Sequence, residues 1–307
     1  MENAPFYSDI ARAPLGEICE YRTASDGVRL RVVGWKGGTK GTVLIFHGRT
    51  EYCEKYGPTV EHFCTRGYSV AMVDWRGQGL SQRIHKRPTI GHVENFTDYQ
   101  LDVAVLLEFL MDHGFPAPRV MLAHSMGGAI GLRALFEGLN IERVLFSAPM
   151  WDIAVNGWLN QIIKVYIQSF GRIISPKSLV SSTNIRNPSF VQDLDTNNLT
   201  NNAEEYEFRI KQLSTHPDLE IGGPSIQWVY EALRETKLLR AKPTPKVPVM
   251  CFLGTDERIV SQAAVYKMMD RMENGTLRVY PDAKHELLIE QPHVTSAIWN
   301  EIDQFIA

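Results

Sequence analysis

The chain has 307 residues, 44% of them hydrophobic and 22% charged, and its 32 basic and 35 acidic residues leave a formal net charge of -3. That is the composition of a globular protein rather than a disordered or collagen-like one, and the lack of a basic tract argues against nucleic acid as a partner. At roughly 150 residues per domain the length suggests one large core, or a core carrying an insertion.

Taken in chain order, 28–35 partly alternates, and Gly41-Thr-Val-Leu-Ile-Phe-His47 is a short apolar run ending in a glycine turn, as a buried strand requires. A helix is expected over 56–66, with Pro58 near its start and Gly67 after its end, followed by a strand over 68–73. Val103, Leu106, Leu107, Leu110 and Met111 share one helical face, closed by Gly114. A strand over 120–123, a helix over 125–137 with Gly138 as its stop, and a strand over 143–147 continue the alternation. Repeated βα units of this kind call for a mostly parallel sheet with helices on both faces.

The rhythm breaks from 150 to 240, a stretch of aromatics, asparagine-rich turns and helical segments that reads as an insertion. It resumes with a strand over 247–253, a helix over 261–272, a strand over 276–280, and a last helix with Val294, Ile298, Ile302 and Phe305 on one face. Without the insertion about 215 residues remain, a normal size for a single α/β core. No run of about 18 apolar residues occurs; Asp152, Asn156, Asn160, Gln161 and Lys164 interrupt the most apolar stretch, so no segment is expected to span a bilayer. The first residues lack the basic start and apolar run of a signal peptide, which makes the cytoplasm the expected compartment. Cys19, Cys53, Cys64 and Cys251 contain no C-x-x-C pair and are read as small buried apolar residues. No metal-ligand spacing is present, and no cofactor is expected.

Chemistry concentrates at the carboxyl ends of the strands. The strand at Val120 runs through Ala123-His124-Ser125-Met126-Gly127-Gly128 into a helix, the setting of a nucleophile elbow, and Ser125 is the candidate nucleophile. Small residues are needed on both sides of such a serine; Ala123 stands where glycine is usual. A serine hydroxyl needs a base, and the base an acid to orient it, in the order Ser, Asp or Glu, His on this fold. Asp256, in Gly254-Thr255-Asp256-Glu257-Arg258-Ile259-Val260, is the expected acid, with the adjacent Glu257 as its rival; His285 is the expected base. The glycine turn at Phe46-His47-Gly48-Arg49 and the start of the helix after Ser125 supply the two expected oxyanion-hole donors, the backbone N–H groups of Arg49 and Met126. His47 and His124 are read as structural.

Phe46-His47-Gly48 with Glu51, the run from Asp74 to Ser81, the elbow, Gly254 to Val260, and Ala283-Lys284-His285-Glu286 together resemble the α/β-hydrolase superfamily, and within it the bacterial lysophospholipase and monoacylglycerol lipase group. The resemblance covers the chain from about residue 20 onward. It implies a Ser125, His285, Asp256 triad, no metal or cofactor, and a helical cap inserted after the sixth strand, with residues 1–149 and 241–307 as the core and 150–240 as the cap. Asp74, Arg76, Gly77 and Gly79 are read as a structural turn and salt-bridge cluster.

The expected activity is hydrolysis of a carboxylic ester of a single-chain lipid through an acyl-serine intermediate. An aminopeptidase or other small ester or amide hydrolase is the alternative, since fold does not fix function, and an inactive hydrolase fold acting as a binding protein is a third. A lipid substrate leaves room for peripheral contact with the inner face of a membrane; the sequence sets no oligomeric state. The segment 158–170 carries two apolar stripes, Leu159, Ile163, Tyr166 and Phe170 on one and Trp158, Ile162 and Val165 on the other, where a surface helix needs one. The second stripe is expected to line the acyl site; the Arg49 side chain is expected at the mouth of the site or in solvent, where the favoured reading is a solvated arginine with no substrate contact and the alternative is a guanidinium that grips a phosphodiester.

Overall fold

The computed structural model describes residues 2–154, 165, 169, 177, 178 and 196–307. Its strands are β1 (Glu2–Asn3), β2 (Glu17–Thr23), β3 (Arg29–Trp35), β4 (Thr42–Phe46), β5 (Ser69–Val73), β6 (Pro118–His124), β7 (Arg143–Ser147), β8 (Val249–Gly254) and β9 (Gly275–Tyr280), in the sheet order β1-β2-β3-β5-β4-β6-β7-β8-β9. The first four strands in that order pair antiparallel, and from β5 to β9 every neighbour is parallel. The α/β-hydrolase fold is therefore a mostly parallel sheet with an antiparallel edge. β4, β5 and β8 are buried along their whole length, which is why their sequences read as unbroken apolar runs.

The described helices are α1 (Ser8–Ala11), α2 (Gly57–Thr65), α3 (Tyr99–Asp112), α4 (Met126–Phe136), α5 (Ala203–Thr215), α6 (Ile226–Ala241), α7 (Gln262–Asp270) and α8 (Pro292–Ile306). Val294, Ile298 and Ile302 form the buried stripe of α8, as their spacing requires. On α3 the stripe is rotated: Val103, Leu106 and Leu110 are buried together with Tyr99 and Phe109, whereas Met111 is 71% exposed. Cys53 and Cys251 are buried, while Cys19 and Cys64 are only partly so, and all four are free thiols. No described helix is long and apolar enough to cross a membrane.

Two helices between β7 and β8 lean on the core. Trp228, Ala232 and Leu239 of α6 join the main apolar cluster, and Glu235 receives both Arg133 Nε and Nη2 from α4 at 2.6 Å. On α5, Leu213 packs with Ile10, Tyr52 and Leu219, which ties this part of the chain to the N-terminal segment. Of the expected acyl-site stripe, Trp158 and Ile162 lie outside the described residues, and Val165 is 59% exposed.

Candidate active site

Ser125 sits between β6 and α4 with φ 51° and ψ −119°, a backbone conformation that costs about 1–3 kcal/mol and persists only where the surroundings enforce it. The enforcement is visible in its neighbours. A Cβ on Gly127 would lie 1.9 Å from the Phe46 carbonyl oxygen, and one on Gly128 would lie 2.5 Å from Pro149 Cβ, so the first turn of α4 can pack on β4 and on the chain after β7 only as glycine. Ala123 is accommodated: its methyl is fully buried beneath α4, where Gly131 carries no side chain.

The Ser125 hydroxyl donates to His285 Nε2 at 2.9 Å, and His285 Nδ1 donates across 2.6 Å to Glu257 Oε2, not to Asp256. This corrects the expected acid by one position. The other oxygen of Glu257 accepts the backbone N–H groups of Ile259 and Val260 at 2.6 and 3.0 Å, which aims Oε2 at the histidine. Asp256 turns outward into an ion pair with Arg258 at 2.7 Å; its side chain is 34% exposed against 0% for Glu257. Two adjacent residues at a strand end face different ways, and composition alone does not say which faces the site.

Burial would raise the Glu257 carboxyl, but the charge and hydrogen bond of His285 and the two backbone donors hold it below the ordinary glutamate value, so it stays ionised. Burial would likewise lower His285, yet Glu257 raises it above the ordinary histidine value, with further help from Glu286 and Glu51. His124, whose ring centroid is 4.8 Å from that of His285, is pushed down to about 4 chiefly by burial and therefore stays neutral at pH 7, leaving the base beside an uncharged ring.

The loop expected to supply one oxyanion-hole donor is braced by side chains. Glu51 accepts the Gly48 N–H, the Tyr56 hydroxyl at 2.7 Å and Lys55 Nζ at 2.6 Å, and Lys55 reaches Glu286 at 2.8 Å, linking this loop to the histidine loop. Gln78 accepts the Thr50 N–H at 2.6 Å and places Nε2 at 3.7 Å from the Met126 side-chain sulfur, bracing the loop after Arg49 against the residue that follows Ser125. Among the described residues the N–H groups of Arg49 and Met126 donate to nothing, which leaves both free for a developing oxyanion. The roles of Glu51 and Gln78 escaped the sequence reading; only the placement of Glu51 three residues after Gly48 hints at such a loop-closing carboxylate.

His47 places Nδ1 2.8 Å from the Gly48 carbonyl and His124 places Nδ1 3.0 Å from the Ser147 carbonyl, so both histidines brace backbone. Asp74 accepts Arg31 Nε at 2.8 Å, Leu80 N–H at 2.8 Å and Cys53 N–H at 3.0 Å, and a Cβ on Gly79 would lie 2.1 Å from that carboxylate. Arg76 pairs with Asp102 and Asp26. This cluster is a braced turn beneath the site.

A parallel sheet with an elbow between β6 and α4, and a serine, histidine and carboxylate hydrogen-bonded in series at the strand ends, define an α/β-hydrolase of the serine type. The chain belongs to the serine aminopeptidase, S33 family, whose model matches residues 37–292. It is 24% identical to the probable lysophospholipase L2 of Haemophilus influenzae, over 100% of this chain and 99% of that one. It is 26% identical to lysophospholipase L2 of Escherichia coli K12, over 99% and 92%. A crystal structure of a soluble variant of monoglyceride lipase from Saccharomyces cerevisiae superposes with a TM-score of 0.74 at 20% identity, covering 99% of this chain and 98% of that one.

Proposed function

We propose that the protein cleaves the carboxylic ester of a single-chain lipid, a lysophospholipid or monoacylglycerol, with Ser125 as nucleophile, His285 as general base and acid, and Glu257 as the carboxylate that orients it. The observation that carries the reading is the unbroken series Ser125 Oγ, His285 Nε2, His285 Nδ1, Glu257 Oε2, with bonds of 2.9 and 2.6 Å. In the first step Ser125 Oγ adds to the ester carbonyl while its proton passes to His285 Nε2. The carbonyl oxygen becomes an oxyanion within reach of the Arg49 and Met126 N–H groups, each such donor being worth about 2.7–4 kcal/mol of transition-state stabilisation. His285 then gives the proton to the leaving glyceryl oxygen, the C–O bond breaks, and the acyl-serine remains. Water, deprotonated by the same Nε2, adds to the acyl carbon and releases a fatty acid and free Ser125. Glu257 stays ionised throughout and holds Nδ1 protonated, so that Nε2 is always the nitrogen facing serine.

Residues 150–240 are read as the cap over this core, and a long acyl chain would bury its tail against it at about 0.8 kcal/mol per methylene. An enzyme with such a substrate meets it at a lipid surface, which is why peripheral contact with a membrane belongs to the reading. The family's name favours a second reading, an aminopeptidase. That activity needs an anion to hold the substrate ammonium, and near His285 the carboxylates Glu51 and Glu286 share the single Lys55, with Glu286 Oε2 unpartnered among the described residues, so the substrate panel has to separate the two readings. The test is a panel of lysolipids, monoacylglycerols, short p-nitrophenyl esters and aminoacyl amides, each assayed with and without a serine-reactive phosphonate. Phosphonate-sensitive turnover of the lipid esters supports the reading; turnover confined to the aminoacyl amides overturns it in favour of the peptidase.

A further inference from the structure

Three arginines that pack against the core, Arg31, Arg76 and the half-buried Arg133, are each matched by carboxylates, while buried Arg209 has no carboxylate within 4 Å among the described residues. Arg31 meets Glu54 at 2.6 Å and Asp74 at 2.7 Å, Arg76 meets Asp26 at 2.6 Å and Asp102 at 2.8 Å, and Arg133 meets Glu235 at 2.6 Å. Arg49 is the one beside the expected oxyanion hole. Among the described residues its guanidinium has no carboxylate within 4 Å; its one hydrogen bond runs from Nη1 to the Gly222 carbonyl at 2.8 Å, and the indole of Trp228 lies 5.5 Å away. A guanidinium carries five N–H donors in a planar fork, so four have no acceptor among the described residues. Burial lowers the group to about 10, which still leaves it fully charged at neutral pH. The side chain is half-buried, so these donors are reachable from outside, and a positioned, desolvated cation with no carboxylate beside it attracts an arriving anion more strongly than a fully solvated one does.

Glycine lets two loops pack directly against the guanidinium. Gly91 donates to the Gly223 carbonyl at 3.1 Å and Gly222 to the Thr89 carbonyl at 2.7 Å, pairing two strands of loop along the arginine; a Cβ on Gly91 would stand 3.2 Å from Arg49 Nη1. The same residue that offers its backbone N–H to the oxyanion thus offers its side chain to a second group of the substrate. Five bonds separate Arg49 Cα from its guanidinium carbon, and in a lysophospholipid six bonds separate the ester carbonyl carbon from phosphorus. At about 1.5 Å per bond the two spans are comparable. The neutral glycerol of a monoacylglycerol presents only hydroxyls at that distance.

We infer that the Arg49 guanidinium is the receptor for the phosphodiester of the substrate, making lysophospholipids, rather than neutral monoacylglycerols, the preferred class. The Gly222 hydrogen bond and the Trp228 face fix the fork in place, and its remaining donors match two phosphate oxygens side by side. This rests on the lipid-ester reading above.

The experiment compares kcat/KM of the full-length parent, Arg49→Gln and Arg49→Lys on a lysophosphatidylglycerol and a monoacylglycerol of the same acyl chain, with a short p-nitrophenyl ester reporting any damage to the oxyanion loop. Removing a charge-assisted hydrogen bond predicts that Arg49→Gln loses about 10- to 100-fold more on the lysophospholipid than on the monoacylglycerol, and that Arg49→Lys recovers part of the difference. Equal proportional losses on the two lipids, or a larger loss on the monoacylglycerol, overturn the phosphate receptor and leave the lipid-ester reading standing. If the parent hydrolyses neither lipid while turning over the short ester, the lipid-ester reading falls and the receptor with it.

Discussion

The elbow at Ser125 and the turn after β8 meet at one histidine, yet they are specified by different physics. At the elbow, sterics decide: Gly127 and Gly128 have backbone or ring atoms where any side chain would begin. At the acid turn, sterics only bring the loops together. Gly254 has no room for a Cβ, which would lie 2.0 Å from the Ala283 carbonyl oxygen, and Asp256 N–H reaches that carbonyl at 3.0 Å. The choice between the two neighbouring carboxylates is then made by hydrogen bonds, with Ile259 and Val260 holding one oxygen of Glu257 and Arg258 drawing Asp256 outward. A region set by exclusion tolerates almost no change of residue type; a region set by polar direction can hold a rival group one position away that does nothing.

The largest effect is expected at the nucleophile. Ser125→Ala should lower kcat by about 10⁴-fold or more, and adding a His285→Ala change should cost little beyond that, because the groups act as one unit. Strictly multiplicative losses would contradict that coupling.

Next comes the steric side of the comparison. Gly127→Ala forces a Cβ into the Phe46 carbonyl and should destabilise the fold by about 3 kcal/mol or more, read as a lower urea midpoint at unchanged slope. A midpoint equal to the parent's would show that the elbow relaxes at no cost.

A smaller effect is expected on the pH profile, which sharpens the polar side. The base works only when neutral, and His285 is raised above the ordinary histidine value by Glu257 despite its burial. kcat/KM should therefore fall as pH drops through an apparent pKa above about 6.5, and the residual activity of Glu257→Gln should show this limb at lower pH. A limb that stays in place in that variant would remove Glu257 from the histidine's electrostatics.

The same contrast explains what the amino-acid sequence reveals. The parallel strands, α2, α4 and α8 and the serine elbow are legible because buried runs, 3.6-residue stripes and obligatory glycines leave their mark on residue type. β2 is not: it is half-buried for most of its length and shows no alternation, and β1 and α1 are two and four residues long. Met111 fits the stripe of α3 by spacing but falls outside it because α3 turns its Tyr99 and Phe109 side inward. The carboxylate bonded to His285 lies one residue beyond the expected Asp256, because nothing in Asp256-Glu257 tells which of the two the turn aims at the histidine. That Arg49 has no carboxylate partner among the described residues becomes visible only when its surroundings are in place.

The most direct test sets Glu257→Gln beside Asp256→Asn in one ester assay, with thermal melting to confirm that both are folded. Loss of the carboxylate that orients the base should lower kcat about 10³- to 10⁴-fold in Glu257→Gln, while Asp256→Asn, which breaks only an exposed pair with Arg258, should stay within about twofold of the parent. The reverse pattern, with Asp256→Asn inactive and Glu257→Gln near normal, would contradict the assignment.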